Sequence, residues 1–194
     1  FHSQNNFEVM DEWYKKGIVA DPTYAPIYLD YFDYFKNTDY NKAKEYLDKY
    51  VTNSDGGCNV QYFQADYLFR SGSYQESINK GKEMEAGACA TFPHLPLLMA
   101  VNYHRLGDTT QAVTYAKKFF STVSPSNILP DDYAFGGFIY KEIPEMADSA
   151  VAYLMKAYDL DTIPEEKAIY ADSIAYALEK ANKPVEKYKW LRKL

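Results

Sequence analysis

DYNKAKEYLDKYV (Asp39–Val51) is followed by three stretches built on the same plan: SYQESINKGKEME (Ser73–Glu85), DTTQAVTYAKKFF (Asp108–Phe120) and, more loosely, MADSAVAYLMKAY (Met146–Tyr158). Aligned, they share a small residue at one position, Ala43, Ser77, Ala112 and Ala150, and these anchors lie 34, 35 and 38 residues apart. Four and seven residues beyond each anchor stands another packing residue: Leu47 and Tyr50, Gly81 and Met84, Ala116 and Phe119, Leu154 and Ala157. A helix turns once in about 3.6 residues, so such positions share one face, and each stretch predicts a helix with a buried stripe. A period of this length predicts a chain that repeats one structural unit.

A second, weaker pattern precedes each stripe. Tyr133, Gly136, Gly137 and Tyr140 carry it best; Pro96, Met99, Ala100 and Tyr103 follow, and Ala171, Ile174, Ala175 and Leu178 match by size. Ala65, Ala100, Gly137 and Ala175 supply the small residue that close helix crossing demands, whereas Tyr31 stands there in the first full unit, which predicts a splayed or shifted helix pair. Between the two patterns lie Asn37-Thr38-Asp39, Ser71-Gly72-Ser73 and Leu106-Gly107-Asp108, each joining a helix-ending residue to an N-capping one. Pro22, Pro93, Pro125 and Pro164 fall between units, where a helix must end.

In these features the chain resembles the tetratricopeptide repeat, a helix-turn-helix unit of about 34 residues with small and aromatic residues at fixed offsets. The resemblance implies an all-α, right-handed α-α superhelix, a solenoid of antiparallel helix pairs. Across this chain it implies a partial helix over 1–23 and units at about 24–57, 58–92, 93–129, 130–167 and 168–194. A single helix pair cannot bury enough apolar surface to order itself, so each unit leans on its neighbours and the ends are the weak points. The last helix, Pro184 to Leu194, reads as a solvated cap, with Lys187, Lys189, Arg192 and Lys193 complementing the helix dipole; a basic docking site is the alternative.

Composition narrows the functional classes. The 194 residues are 47% hydrophobic, which excludes a disordered chain, and the 20 tyrosines suit half-buried surfaces between helices. A net charge of -6 argues against nucleic-acid binding, which needs a basic face to displace counterions. The longest apolar stretches, such as Phe92 to Val101, are interrupted by Pro or His and are far shorter than the roughly 20 residues a bilayer span needs. Phe1 opens the sequence with neither Met nor a leader, so the chain reads as a piece of a longer protein.

No catalytic pattern emerges. His2, His94 and His104 have no metal-ligand spacing, so no metal or other cofactor is expected. Asp131-Asp132 and Glu165-Glu166 each precede or open a predicted helix, where carboxylates favour the positive end of the dipole. Gly56-Gly57 and Gly136-Gly137 lack the lysine and preceding strand of a phosphate loop, and no serine stands in a nucleophile elbow. The expectation is a protein without enzymatic activity; an enzyme with an unrecognised site would need convergent His, Asp and Glu in an enclosed pocket.

In the repeat frame Cys58 opens one unit's first helix and Cys89 lies just past its second, which brings both to one end of the pair. They can meet as a disulfide, implying an oxidising compartment; two separate thiols in loops of a cytosolic protein is the alternative.

The resemblance further implies that first helices line a concave groove for a peptide or partner protein. Carried onto this sequence, the groove would present Tyr28, Phe32 and Lys36, then Tyr62, Asp66, Phe69 and Arg70, then Leu97, Val101, His104 and Arg105. Several of these aromatics can equally pack between units, Phe32 and Phe69 foremost. The Lys and Asn clamp by which some relatives hold a C-terminal carboxylate is absent, since Tyr28, Phe32, His94 and Leu98 stand at its sites. The expected function is a protein-interaction scaffold, part of a bacterial cell-envelope or periplasmic protein, with a cytoplasmic location as the alternative. A second reading is the sensor, or input, region of a larger envelope signalling protein.

Overall fold

The computed structural model describes residues 4–192, with side-chain detail from Phe7 onward. His2 and Lys193, both weighed above, lie outside the described residues. Among those described, every extended element is helical. In chain order they are α1 (Gln4–Ala20), α2 (Ala25–Phe35), α3 (Tyr40–Asn53), α4 (Cys58–Arg70), α5 (Tyr74–Ala86), α6 (Leu95–Arg105), α7 (Thr109–Thr122), α8 (Pro130–Tyr140), α9 (Ala147–Leu160), α10 (Pro164–Lys180) and α11 (Pro184–Leu191). Short 3-10 turns at Pro125–Asn127 and Pro144–Met146 precede α8 and α9.

The boundaries follow from local chemistry. Asp39 and Asp108 cap α3 and α7, accepting the amides of Lys42 and Gln111 at 3.0 Å each. Gly72 and Gly107 take φ of 84° and 80°, the left-handed turn that ends a helix and that a Cβ resists. Asn182 makes the same turn after α10 at φ 55°. Proline stands in the first turn of α2, α6, α8, α10 and α11, where no intrahelical amide is needed. Pro164 opens α10, so that helix begins ahead of the 168 expected for the last unit, with Glu165 and Glu166 in its first turn.

The helices pack as consecutive pairs, α2 on α3, α4 on α5, α6 on α7, α8 on α9 and α10 on α11, with further contacts from α3 to α4, α7 to α8 and α9 to α10. Every anchor residue from Ala43 to Ala157 is buried. The stripe read from the sequence is therefore the face along which paired helices meet. The chain divides into two compact units, residues 1–92 and 93–194.

In the first unit, Tyr28, Tyr31, Phe32 and Phe35 of α2 form a core with Ala43, Leu47 and Tyr50 of α3 and Val60 of α4. Phe7, Met10, Tyr14 and Ile18 lay one face of α1 on it. Tyr31 corrects the sequence expectation. Only 1% exposed, it stacks on Tyr46 of α3 at 4.4 Å, meets Tyr14 of α1 edge-on at 5.4 Å and donates its hydroxyl to Asp11 Oδ1 at 2.9 Å. The ring turns toward α1, and α2 and α3 stay closely packed. Between α4 and α5, buried Ser77 donates to the Ala65 carbonyl at 2.7 Å, so two small residues at the crossing are also hydrogen-bonded. A disulfide joins Cys58, the first residue of α4, to Cys89, just beyond α5, with Cα atoms 5.3 Å apart.

In the second unit α8 lies close against α9 at Gly137. A Cβ there would overlap the Leu154 side chain and lie 3.3 Å from the Ala150 carbonyl. Leu97, Phe119, Ile128, Tyr133, Ala157 and Tyr170 form one buried cluster. At the far end Trp190 of α11 meets Tyr158 of α9 edge-on at 5.1 Å. Lys187 pairs with Glu179 at 2.9 Å and Lys183 with Asp148 at 2.5 Å, so two cations near this end are already engaged.

Candidate functional site

The first helix of each pair, α2, α4, α6, α8 or α10, carries the residues that the sequence nominates for binding. In α2, Tyr28 is buried and donates its hydroxyl to the Pro22 carbonyl at 2.7 Å, and Phe32 is fully enclosed, edge-on to Phe63 at 5.9 Å. Both belong to the core of the first unit, in one cluster with Tyr50 of α3 and Phe63 of α4. Lys36, partly buried, is held by Asp33 at 2.8 Å.

On α4, Tyr62 is half-buried and stacked on Phe92 at 4.7 Å, and Phe69 is half-buried against Tyr74 at 5.9 Å. Asp66 is 7% exposed and receives Arg70 Nε at 2.8 Å, while an Arg70 Nη atom donates to Asn37 Oδ1. Arg70 thus ties α4 to the turn after α2. Tyr62 and Phe69 remain the partly open aromatic surface of this helix.

On α6, Leu97 and Val101 are buried at 5% and 6% exposure and are packing residues, correcting their assignment to an open surface. His104 is half-buried and Arg105 exposed in the last turn. Burial holds the His104 imidazole below its usual range; Arg105 and Lys141 act in the same direction, and the Glu142 carboxylate opposes them. His104 is therefore neutral near pH 7 while surrounded by the charges of two helices.

Those charges mark residues that the sequence reading did not nominate. Lys141, the C-cap of α8, donates to Ser173 Oγ of α10 at 3.2 Å and sits 5.2 Å from the Phe138 ring and 5.6 Å from the Tyr176 ring. Lys180 approaches Tyr176 at 5.3 Å, and Tyr176 donates its hydroxyl to Glu142 at 2.9 Å. Carrying the phase of Val101, His104 and Arg105 forward through the next two first helices reaches Phe138, Lys141 and Glu142, then Tyr176 and Lys180. That signal was present in the repeat.

At the opposite end of α6 and α8, His94 Nε2 lies 3.5 Å from Asp132 Oδ2, and its ring leans on Phe119. Asp132 also accepts the Leu129 amide at 2.9 Å, closing the first turn of α8. The Asp132 carboxylate raises the His94 pKa against the opposing pull of burial. The pair is a structural link between two helix starts. Among the described residues, no group of three or more His, Cys, Asp and Glu is placed to hold a metal ion, and no helix is long and apolar enough to cross a membrane.

No family model and no curated protein matches the sequence. Solved structures do match. A tetratricopeptide repeat protein from Parabacteroides merdae is 15% identical, with a TM-score of 0.70 over 90% of this chain and 66% of its own. PilW, a type IV pilus biogenesis factor, is 16% identical, with a TM-score of 0.66 over 92% of this chain and 81% of its own. MamA from Desulfovibrio magneticus is 14% identical, with a TM-score of 0.61 over 87% of this chain and 92% of its own. At such identities the likeness is one of fold.

Proposed function

We propose that this chain, which has the tetratricopeptide-repeat fold in about five helix pairs, is a non-catalytic scaffold that binds a peptide or partner protein on its first helices. Proteins of this fold serve in general as interaction scaffolds, and no nucleic-acid partner is part of the reading. The observation that carries it is the division of labour within those helices. One side is buried through the small residues Ala65, Ala100, Gly137 or Ala175, with Ala65 and Gly137 meeting the partner helix of their own pair, while Tyr62, Phe69, His104 and Arg105 stay partly or fully open. Aromatics and cations at the edge of a rigid core are what peptide recognition uses, because little side-chain freedom is lost on binding.

The repeat frame of 24–57, 58–92, 93–129, 130–167 and 168–194, after a partial helix over 1–23, is the frame on which these positions are compared. Cell-envelope placement belongs to the same proposal. It is supported by the disulfide, which persists where thiols are not kept reduced, and more weakly by the likeness in fold to PilW, a pilus biogenesis factor.

The test is selection of binding peptides on the intact chain from a displayed library, followed by affinity measurement on Tyr62→Ala, Phe69→Ala and Arg105→Ala. Lys44→Ala, on the exposed face of α3, serves as the control. At least one class of selected peptide should weaken by roughly tenfold on a first-helix variant. Peptides that lose affinity only with Lys44→Ala, or with none of the four, would reject the assignment.

A further inference from the structure

The C-terminal ends of α6, α8 and α10 carry three cations: Lys141 and Lys180 lie against the Phe138 and Tyr176 rings, and Arg105 and Lys141 both act on His104. Their situation differs from that of the cations ending α2 and α4. There, Lys36 is matched by Asp33 and Arg70 by Asp66. Among the described residues, Arg105, Lys141 and Lys180 have no carboxylate within ion-pair distance; Lys141 instead reaches the Ser173 hydroxyl and two ring faces. The one acid of this surface seen in contact with Tyr176 is Glu142, whose carboxylate accepts the Tyr176 hydroxyl. Glu179, on the same turn of α10 as Lys180, is taken by Lys187. The patch is thus locally positive on a chain whose net charge is -6.

Resting on the scaffold reading, we infer that this face of the second unit selects acidic peptide segments, Arg105, Lys141 and Lys180 taking the carboxylates while the Phe138 and Tyr176 rings receive flanking apolar atoms. Arginine binds a carboxylate with two parallel N–H donors, and lysine adds an adaptable point charge. The two ring faces hold the lysine ammonium groups in place, which lowers the entropy lost when a ligand carboxylate docks. A long polyanion is the less suitable occupant. Nucleic-acid affinity is built from about 6–10 phosphate contacts, three cations fall short of that, and the chain's overall charge opposes it.

The experiment uses the full chain and two labelled peptides, one alternating Glu and Leu and its twin with Gln for Glu, followed by fluorescence anisotropy and by amide shift mapping. The acidic peptide should bind about tenfold tighter than its twin at low salt and lose that margin as salt rises. Its shifts should fall on the C-terminal halves of α6, α8 and α10. Arg105→Gln and Lys180→Gln, both at exposed positions, should each weaken it by roughly three- to tenfold, and Glu142→Gln should strengthen it, because an opposing charge is removed while Tyr176 keeps an acceptor.

Equal binding of the two peptides at this face overturns the acidic preference and leaves the scaffold reading standing. Loss of both peptides from this face overturns the proposal, and the library selection then judges the scaffold reading separately. A polyuridylate strand that binds the same helices as tightly as the acidic peptide also overturns it. Retention of full affinity in the Arg105→Gln, Lys180→Gln double variant does so as well.

Discussion

Tyr31→Ala separates two accounts of the first helix pair by the sign of its effect. The repeat pattern places a small residue at this position, so if Tyr31 wedged α2 from α3, alanine would relieve strain and raise stability. In the structure Tyr31 is 1% exposed and serves as a joint among three helices, stacked on Tyr46, edge-on to Tyr14 and hydrogen-bonded to Asp11. Truncation would empty a space the size of a phenol ring. Loss of a buried aromatic costs about 3–5 kcal/mol, and each aromatic pair adds roughly 0.5–1.5 kcal/mol to its area burial. At roughly 2–4 °C per kcal/mol for a chain of this length, the melting temperature should fall by about 6–20 °C.

Tyr31→Phe keeps the ring and removes only the hydroxyl. It should cost about 1 kcal/mol, since Asp11 is partly open to water and also paired with Lys15. The pH dependence carries a second signature. Lys15 first, and then Tyr31, hold the Asp11 carboxyl below its usual range, against a raising pull from burial. A depressed carboxylate contributes stability above its unfolded value near 3.9, and that contribution is lost as pH falls through the folded value. The Phe variant should therefore lose stability at neutral pH and converge on the parent in acid. Circular-dichroism melts of the three proteins at pH 7 and pH 3 decide the matter. An unchanged or raised melting temperature for Tyr31→Ala at pH 7 refutes the reasoning.

Replacing both Cys58 and Cys89 by Ser opens a loop with a sequence separation of 31 and should cost on the order of 3–4 kcal/mol in the chain-entropy account; equal denaturation midpoints for parent and variant would contradict it. Gly137→Leu drives a branched side chain into Leu154 and the Ala150 carbonyl, and a loss of more than about 2 kcal/mol by urea titration is expected, against a smaller loss for Gly137→Ala. His94 should titrate above the ordinary imidazole value by NMR and drop below it in Asp132→Asn, where burial acts without the carboxylate. Because its folded pKa is raised, the His94–Asp132 pair stabilises fully below the unfolded value of about 6.5 and fades as pH rises through the folded one; a His94 titration unmoved by Asp132→Asn would deny the link.

The helix stripes were legible because helical periodicity and burial are the same fact seen twice. Ala43, Ala112 and Ala150 could be recognised as contact points before any coordinates, and each is fully buried. The turns were legible for a similar reason, since Gly72 and Gly107 adopt a backbone angle that few other residues accept. Tyr31 was not. A sequence shows that a residue is too large for the gap between two helices, but not that a third helix offers Asp11 and Tyr14 on the far side. The role of the α2 aromatics was open in the sequence for the same reason. Whether Phe32 faces a ligand or a neighbour depends on Phe63, which lies a full unit away, and the neighbour won.

Charge was the least legible property of the candidate surface, and it carries the most information about a partner. Arg70 and Arg105 stand at matching positions of two first helices and look alike as letters. Yet one carries a buried aspartate four residues before it and an asparagine from the preceding turn, and the other carries neither. A cation already paired gains little from a second carboxylate, because the first must be displaced or shared; an unpaired one gains the whole interaction. The same helix position therefore serves as a structural strut in the first unit and as an open contact in the second. Ion pairing decides between them, and it becomes visible only when helix ends are placed side by side.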